Sequence, residues 1–104
     1  MRVLHLTLIK KWFDLVESGE KPEEYREMTE YWRKRLIRKE CQHKTAFEPS
    51  DFKDFDLVIF TNGYGNHRPK TIRVLKYIEV NSGKVEWGAA KGKIYFVLKL
   101  GAVV

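Results

Sequence analysis

The sequence predicts an α+β fold, a small mixed β-barrel, partly open and flanked by two helices. Three observations predict it. Residues 2–9 and 93–100 alternate apolar and polar positions, as half-buried strands do. Residues 10–18 and the stretch after Thr29 switch to a helical period. The C-terminal strands follow one another with no helix between them, which disfavours the competing flat α/β sandwich.

Taken in order, Leu4, Leu6 and Leu8 form the apolar face of a first strand, opposite Val3, His5 and Thr7. Trp12, Leu15 and Val16 mark one face of the following helix, with Phe13 beside it. Gly19 follows the last periodic residue, where a left-handed cap favours glycine. Pro22 forbids continuation, so residues 23–28 are read as extended. Thr29 caps a second helix, in which Met28, Trp32 and Leu36 form a buried stripe. Residues 40–54 are polar and irregular and read as a surface loop. The apolar run at 57–60 predicts a strand buried on both faces. Residues 62–66 read as a loop. Residues 71–80 alternate through Ile72, Val74, Ile78 and Val80. A glycine-containing loop at 81–92 precedes the last strand, with Ile94, Phe96, Leu98 and Leu100 on one face.

The chain has 104 residues, and residues 1–104 read as a single domain with no linker or repeat. No stretch approaches the roughly 18 consecutive apolar residues of a membrane span. The first residues lack the apolar block of a signal peptide, and Cys41 is alone, which excludes an internal disulfide. A cytoplasmic setting is expected. No cofactor and no metal are expected either, since His5, His43 and His67 lack ligand spacing and no P-loop occurs. A formal net charge of +6 suits a polyanionic partner, because Lys and Arg release counterions from phosphates.

The segment that carries chemistry is Gly19, Glu20, Lys21, Pro22, Glu23, Glu24, Tyr25, Arg26, of the form G-x-K-x-x-E-x-R. Glycine ends the helix and turns the chain. Lys21 sits at the helix–strand junction. Glu24 and Arg26 share a strand face, because the side-chain period is two. Arg and Lys together can hold a phosphate, with Arg supplying a planar fork of donors. Alternatively, Glu24 serves as a general base or acid while the cations stabilise negative charge. The plain alternative is an ion pair of little worth.

This pattern resembles the signature of the ASCH domain, a branch of the PUA-like superfamily. The first strand, the Lys11-Trp12-Phe13-Asp14 helix, the strand end at residues 60–64 and the closing strand at 95–100 are similar as well. The resemblance implies a small PUA-like mixed β-barrel flanked by two helices, with the motif lining a cleft for RNA or a nucleotide ligand. It also implies an alternative, a metal-independent hydrolase acting on RNA or on modified nucleosides, with Lys21 and Glu24 as the catalytic pair. Such an enzyme would be a ribonuclease or a nucleoside amidohydrolase. The amidohydrolase branch carries a threonine three residues after its lysine. This chain has Glu24 there, which argues against that activity.

Other residues are candidates for the same ligand. Tyr64, between two glycines, offers a base-stacking face. Asn62 offers hydrogen bonds to a base edge, and Arg68 a phosphate contact. The competing reading is that Asn62 and Gly63 simply make the turn. Arg33 and Lys34, within the basic run 33–39, offer a phosphate track or merely a solvated face. Trp87 offers a base-stacking face but is assigned first to plugging one end of the barrel, Trp32 is assigned to the core, and His5 to the barrel interior or mouth, with core packing preferred.

Overall fold

The computed structural model describes residues 1–65 and 67–104. The opening alternation forms β1 (Val3–Leu8), with Leu4, Leu6 and Leu8 buried. Helix α1 (Lys10–Ser18) buries Phe13 and Val16, which lie on one face. Gly19 stops the helix at φ +87°, and its N–H reaches the carbonyl of Val16. A residue with a Cβ would be strained at that angle. Pro22 leads into β2 (Glu23–Glu27). The Thr29 hydroxyl accepts from the Trp32 N–H and starts α2 (Glu30–Leu36). Strands β3 (Leu57–Asn62), β4 (Lys70–Ser82) and β5 (Ile94–Val103) follow. The predicted order of strands and helices is the order observed.

The strands make one five-stranded sheet ordered β1-β3-β4-β5-β2. β1 and β3 run parallel, and the remaining pairs are antiparallel. The sheet curls into a half-barrel whose two edges are β1 and β2. Its concave side holds the main core, from Leu4, Leu6 and Leu8 through Val58 and Phe60 to Phe96 and Leu98. A smaller cluster of Ala89, Tyr95 and Val97 lies on the other face of β5, with Tyr25 packed against it. No helix among the described residues is long and apolar enough to cross a membrane.

Several expectations are corrected. The strand buried on both faces is β5, where Tyr95, Phe96, Val97 and Leu98 are all buried; Leu57 and Ile59 of β3 are only half-buried. In β4 the inward residues begin as Thr71, Arg73 and Leu75, while Val74 is exposed. Register irregularities on either side of Leu75 then bring Ile78 inward. A bulge shifts the alternation by one residue, which periodicity alone does not reveal. Residues 40–54 are not merely surface. They contain short helical turns at Lys39–Cys41 and Pro49–Asp51, and they bury Asp51 and Phe52. Phe52 meets Phe96 edge-on, with ring centroids 6.0 Å apart. His5, read as lining the barrel interior or mouth with core packing preferred, is exposed and so lies outside the core. Met28 and Ile94 are also exposed, and Trp32 is half-buried at the margin of the core. Asn66, read as part of the 62–66 loop, lies outside the described residues.

Candidate functional site

The β2–β5 register places Glu24 opposite Leu98 and Arg26 opposite Phe96. Cross-strand partners share a face, so the carboxylate and the guanidinium project to the concave side at the seam of the half-barrel. Arg26 Nη2 donates across that seam to the carbonyl oxygen of Thr7 on β1, at 3.3 Å. The two sheet edges are thus joined by a side chain rather than by a ladder.

Lys21 is 1% exposed, although it carries an ammonium group. Its Nζ donates to Glu24 Oε1 at 2.6 Å, and the Tyr25 N–H donates to the same oxygen at 3.0 Å. Arg26 Nη2 donates to Glu24 Oε2 at 3.1 Å. The rings of Trp12 and Tyr25 lie 4.9 and 5.6 Å from the Lys21 ammonium. A buried charge needs such partners, because it has lost its hydration. Arg26 stacks over Trp32, with 5.0 Å between the guanidinium carbon and the ring centroid. Its Nε is buried and has no hydrogen-bond partner among the described residues.

The outer face of β2 is braced separately. The Tyr25 hydroxyl donates to Glu23 Oε1 at 2.5 Å and accepts from the Lys84 N–H at 3.0 Å. Burial, reinforced by the Glu23 carboxylate, pushes the Tyr25 phenol well above its ordinary value. Burial works against the Glu23 charge, but hydrogen bonds from Lys99 and Tyr25 outweigh it and hold Glu23 below the usual carboxylate range. Gly83 makes this packing possible: a Cβ there would lie 2.7 Å from Tyr25 Cε1.

Above the triad lies an open cavity of about 350 Å³, lined by Trp12, Lys21, Glu24, Tyr25, Arg26 and Trp87, among others. A neighbouring cavity of about 290 Å³ is lined by His5, Tyr31, Trp32 and Tyr64. Thr7 and Arg26 line both, so Arg26 stands in the wall between two aromatic chambers. Trp87 therefore faces the cleft and belongs to neither core cluster, against the expectation that it plugs the barrel.

The remaining candidates are distributed unevenly. Tyr64 is 89% exposed at the rim of the second chamber. Gly63 N–H donates to the Leu8 carbonyl and ties this turn to β1. Asn62 and Arg68 line neither chamber. Arg68 Nε donates to the carbonyl of Asn62 at 2.8 Å, so this pair shapes the turn. Arg33 is also committed: it donates to the carbonyls of Gln42 and Lys44 and stacks over Phe47. Lys34 lies in a different cavity, with Arg2, His5, Arg35 and Lys53.

Sequence reasoning missed Tyr95 and Tyr31 as cleft walls, and it missed Arg73 entirely. Tyr95 was accessible from the period of β5, since it alternates with Phe96 and so faces away from the core. Among the described residues, no group of His, Cys, Asp or Glu is placed to hold a metal ion. Compared with known proteins, the chain matches no family model and no curated protein.

Proposed function

We propose that this chain is an ASCH-type, PUA-like domain that acts in the cytoplasm and binds RNA or a nucleotide in the cleft over Lys21, Glu24 and Arg26. The observation that carries this reading is the Arg26 guanidinium. It is fixed by Glu24, Thr7 and Trp32, yet keeps one buried donor without a partner at the wall between two aromatic chambers. The side chain is 19% exposed, so a phosphate or base oxygen in the cleft would meet the open part of that guanidinium rather than its buried Nε, and bases would stack on the surrounding rings. Lys21 acts one step back, holding the Glu24 carboxylate that aims Arg26. The net charge of +6 favours the same ligand class.

The hydrolase alternative requires Glu24 to take up a proton. Its two oxygens already accept from Lys21, Arg26 and the Tyr25 N–H. Engaging a substrate proton would mean giving up one of these hydrogen bonds, which favours binding over turnover. The test is titration of nucleoside monophosphates and short single-stranded RNA, with Arg26→Ala and the Lys21→Ala/Arg26→Ala pair alongside. Affinity should fall about tenfold or more in Arg26→Ala. Unchanged affinity in both folded variants would remove the proposed site. Lys21-dependent cleavage of RNA, or of an acylated nucleoside, would instead establish the hydrolase.

A further inference from the structure

A third cavity, of about 480 Å³, continues the line of the first two. It shares His5 with the Tyr64 chamber, as that chamber shares Thr7 and Arg26 with the cleft. All three lie along edge strand β1. At about 3.3 Å per residue, Val3 to Thr7 covers roughly 13 Å.

The third cavity differs in chemistry. The first two are walled by aromatic rings, whereas this one is lined by Arg2, His5, Lys34, Arg35 and Lys53, with Phe55 beneath. Among the described residues, Arg2, Arg35 and Lys53 form no salt bridge with a carboxylate. Lys34 has only Glu30, at 3.9 Å and itself exposed. Asp56 is engaged by the backbone N–H of Arg2. Lys53 Nζ donates to the carbonyl of Lys34, which brings a second ammonium beside the Lys34 backbone. Arg35 Nε is buried and without a hydrogen-bond partner among the described residues. Arg35 also stacks over Tyr31 and Trp32, so its buried Nε is turned from the cavity's opening, and it is the set of cations without a close carboxylate partner that calls for an anion.

We propose that this cavity binds a backbone phosphate of the same single-stranded RNA whose neighbouring nucleotide occupies the cleft. The proposal rests on the cleft reading above. Aromatic chambers take bases, the basic cavity takes the phosphodiester, and β1 sets the direction of the strand.

The experiment compares AMP with a labelled single-stranded RNA of about six nucleotides, across a salt series. Arg2→Glu/Lys34→Glu changes two exposed side chains, and Arg2→Ala/Lys34→Ala serves as a milder second variant. The expected result is a loss of about tenfold or more in RNA affinity, and a salt slope flattened by about one unit, with AMP binding unchanged. RNA affinity and slope unchanged in both variants, while Arg26→Ala weakens AMP and RNA alike, would overturn this proposal and leave the cleft reading standing. RNA binding that depends on Arg2 and Lys34 but not on Arg26 would overturn both.

Discussion

Arg73 Nη1 donates to the carbonyl oxygen of Lys21 at 3.1 Å, and so ties β4 to the backbone of the motif. The same nitrogen donates to the carbonyl of Val16, at the C-terminal end of α1, and Nε donates to Gly101. Arg73 is 3% exposed. Its partners are carbonyl oxygens rather than a carboxylate, and burial pushes it below its ordinary value. The negative end of the α1 dipole supplies part of the missing counter-charge. Arg73→Met should cost on the order of 3 kcal/mol, because it strands buried carbonyls. Arg73→Lys should recover only part of this, since an ammonium cannot reproduce the fork. Urea unfolding checks both.

Lys21 and Glu24 should behave as a unit. Lys21→Met leaves a carboxylate that is 5% exposed without its ammonium, at a cost of about 3–5 kcal/mol. The double variant Lys21→Met/Glu24→Gln should be less destabilised than the sum of the single variants by more than about 1 kcal/mol. Additive losses in a double-mutant cycle would show that the pair is not coupled.

Acid should loosen the segment that precedes β3. The Asp51 carboxylate accepts from the Glu48 N–H at 2.8 Å and from Lys44 Nζ at 2.9 Å. The Glu48 hydrogen bond first, and Lys44 second, hold its pKa at about 2, against an ordinary 3.8. A depressed carboxylate stabilises the fold fully above the ordinary value, and that contribution is lost as pH falls through about 2. Stability measured from pH 5 to pH 2 should therefore decline, and Asp51→Asn should flatten the decline.

Tyr64 separates binding from folding. Its ring is 89% exposed, so Tyr64→Ala should leave stability within about 0.5 kcal/mol. If the ring stacks on a base, RNA affinity should fall by about 1–3 kcal/mol, on the order of fivefold to a hundredfold. Calorimetric melting and anisotropy titration read the two effects independently.

Much of this architecture was legible. Leu4, Leu6 and Leu8 betrayed a half-buried strand, Gly19 betrayed a helix end, and the two-residue period put Glu24 beside Arg26. Each of those inferences is local. Arg73 escaped because Ile72 and Val74 display a plausible apolar alternation, and only pairing with β5 shows that the register shifts. The aromatic walls escaped for a related reason. Trp12, Tyr25, Trp87 and Tyr95 come from distant segments, and curvature of the sheet brings them together. The bonds of Arg33 to the carbonyls of Gln42 and Lys44 were not legible, because those residues belong to a loop whose path carries no period.

The placement of β2 has a kinetic consequence. This strand pairs with β5, from Glu23 opposite Lys99 to Glu27 opposite Tyr95, and its other edge is the seam. Closing so long a loop delays the contact until much of the chain has collapsed. Lys21, Glu24 and Arg26 should thus be assembled late in folding, and an N-terminal fragment ending before β5 should carry the whole motif in its sequence yet present no cleft.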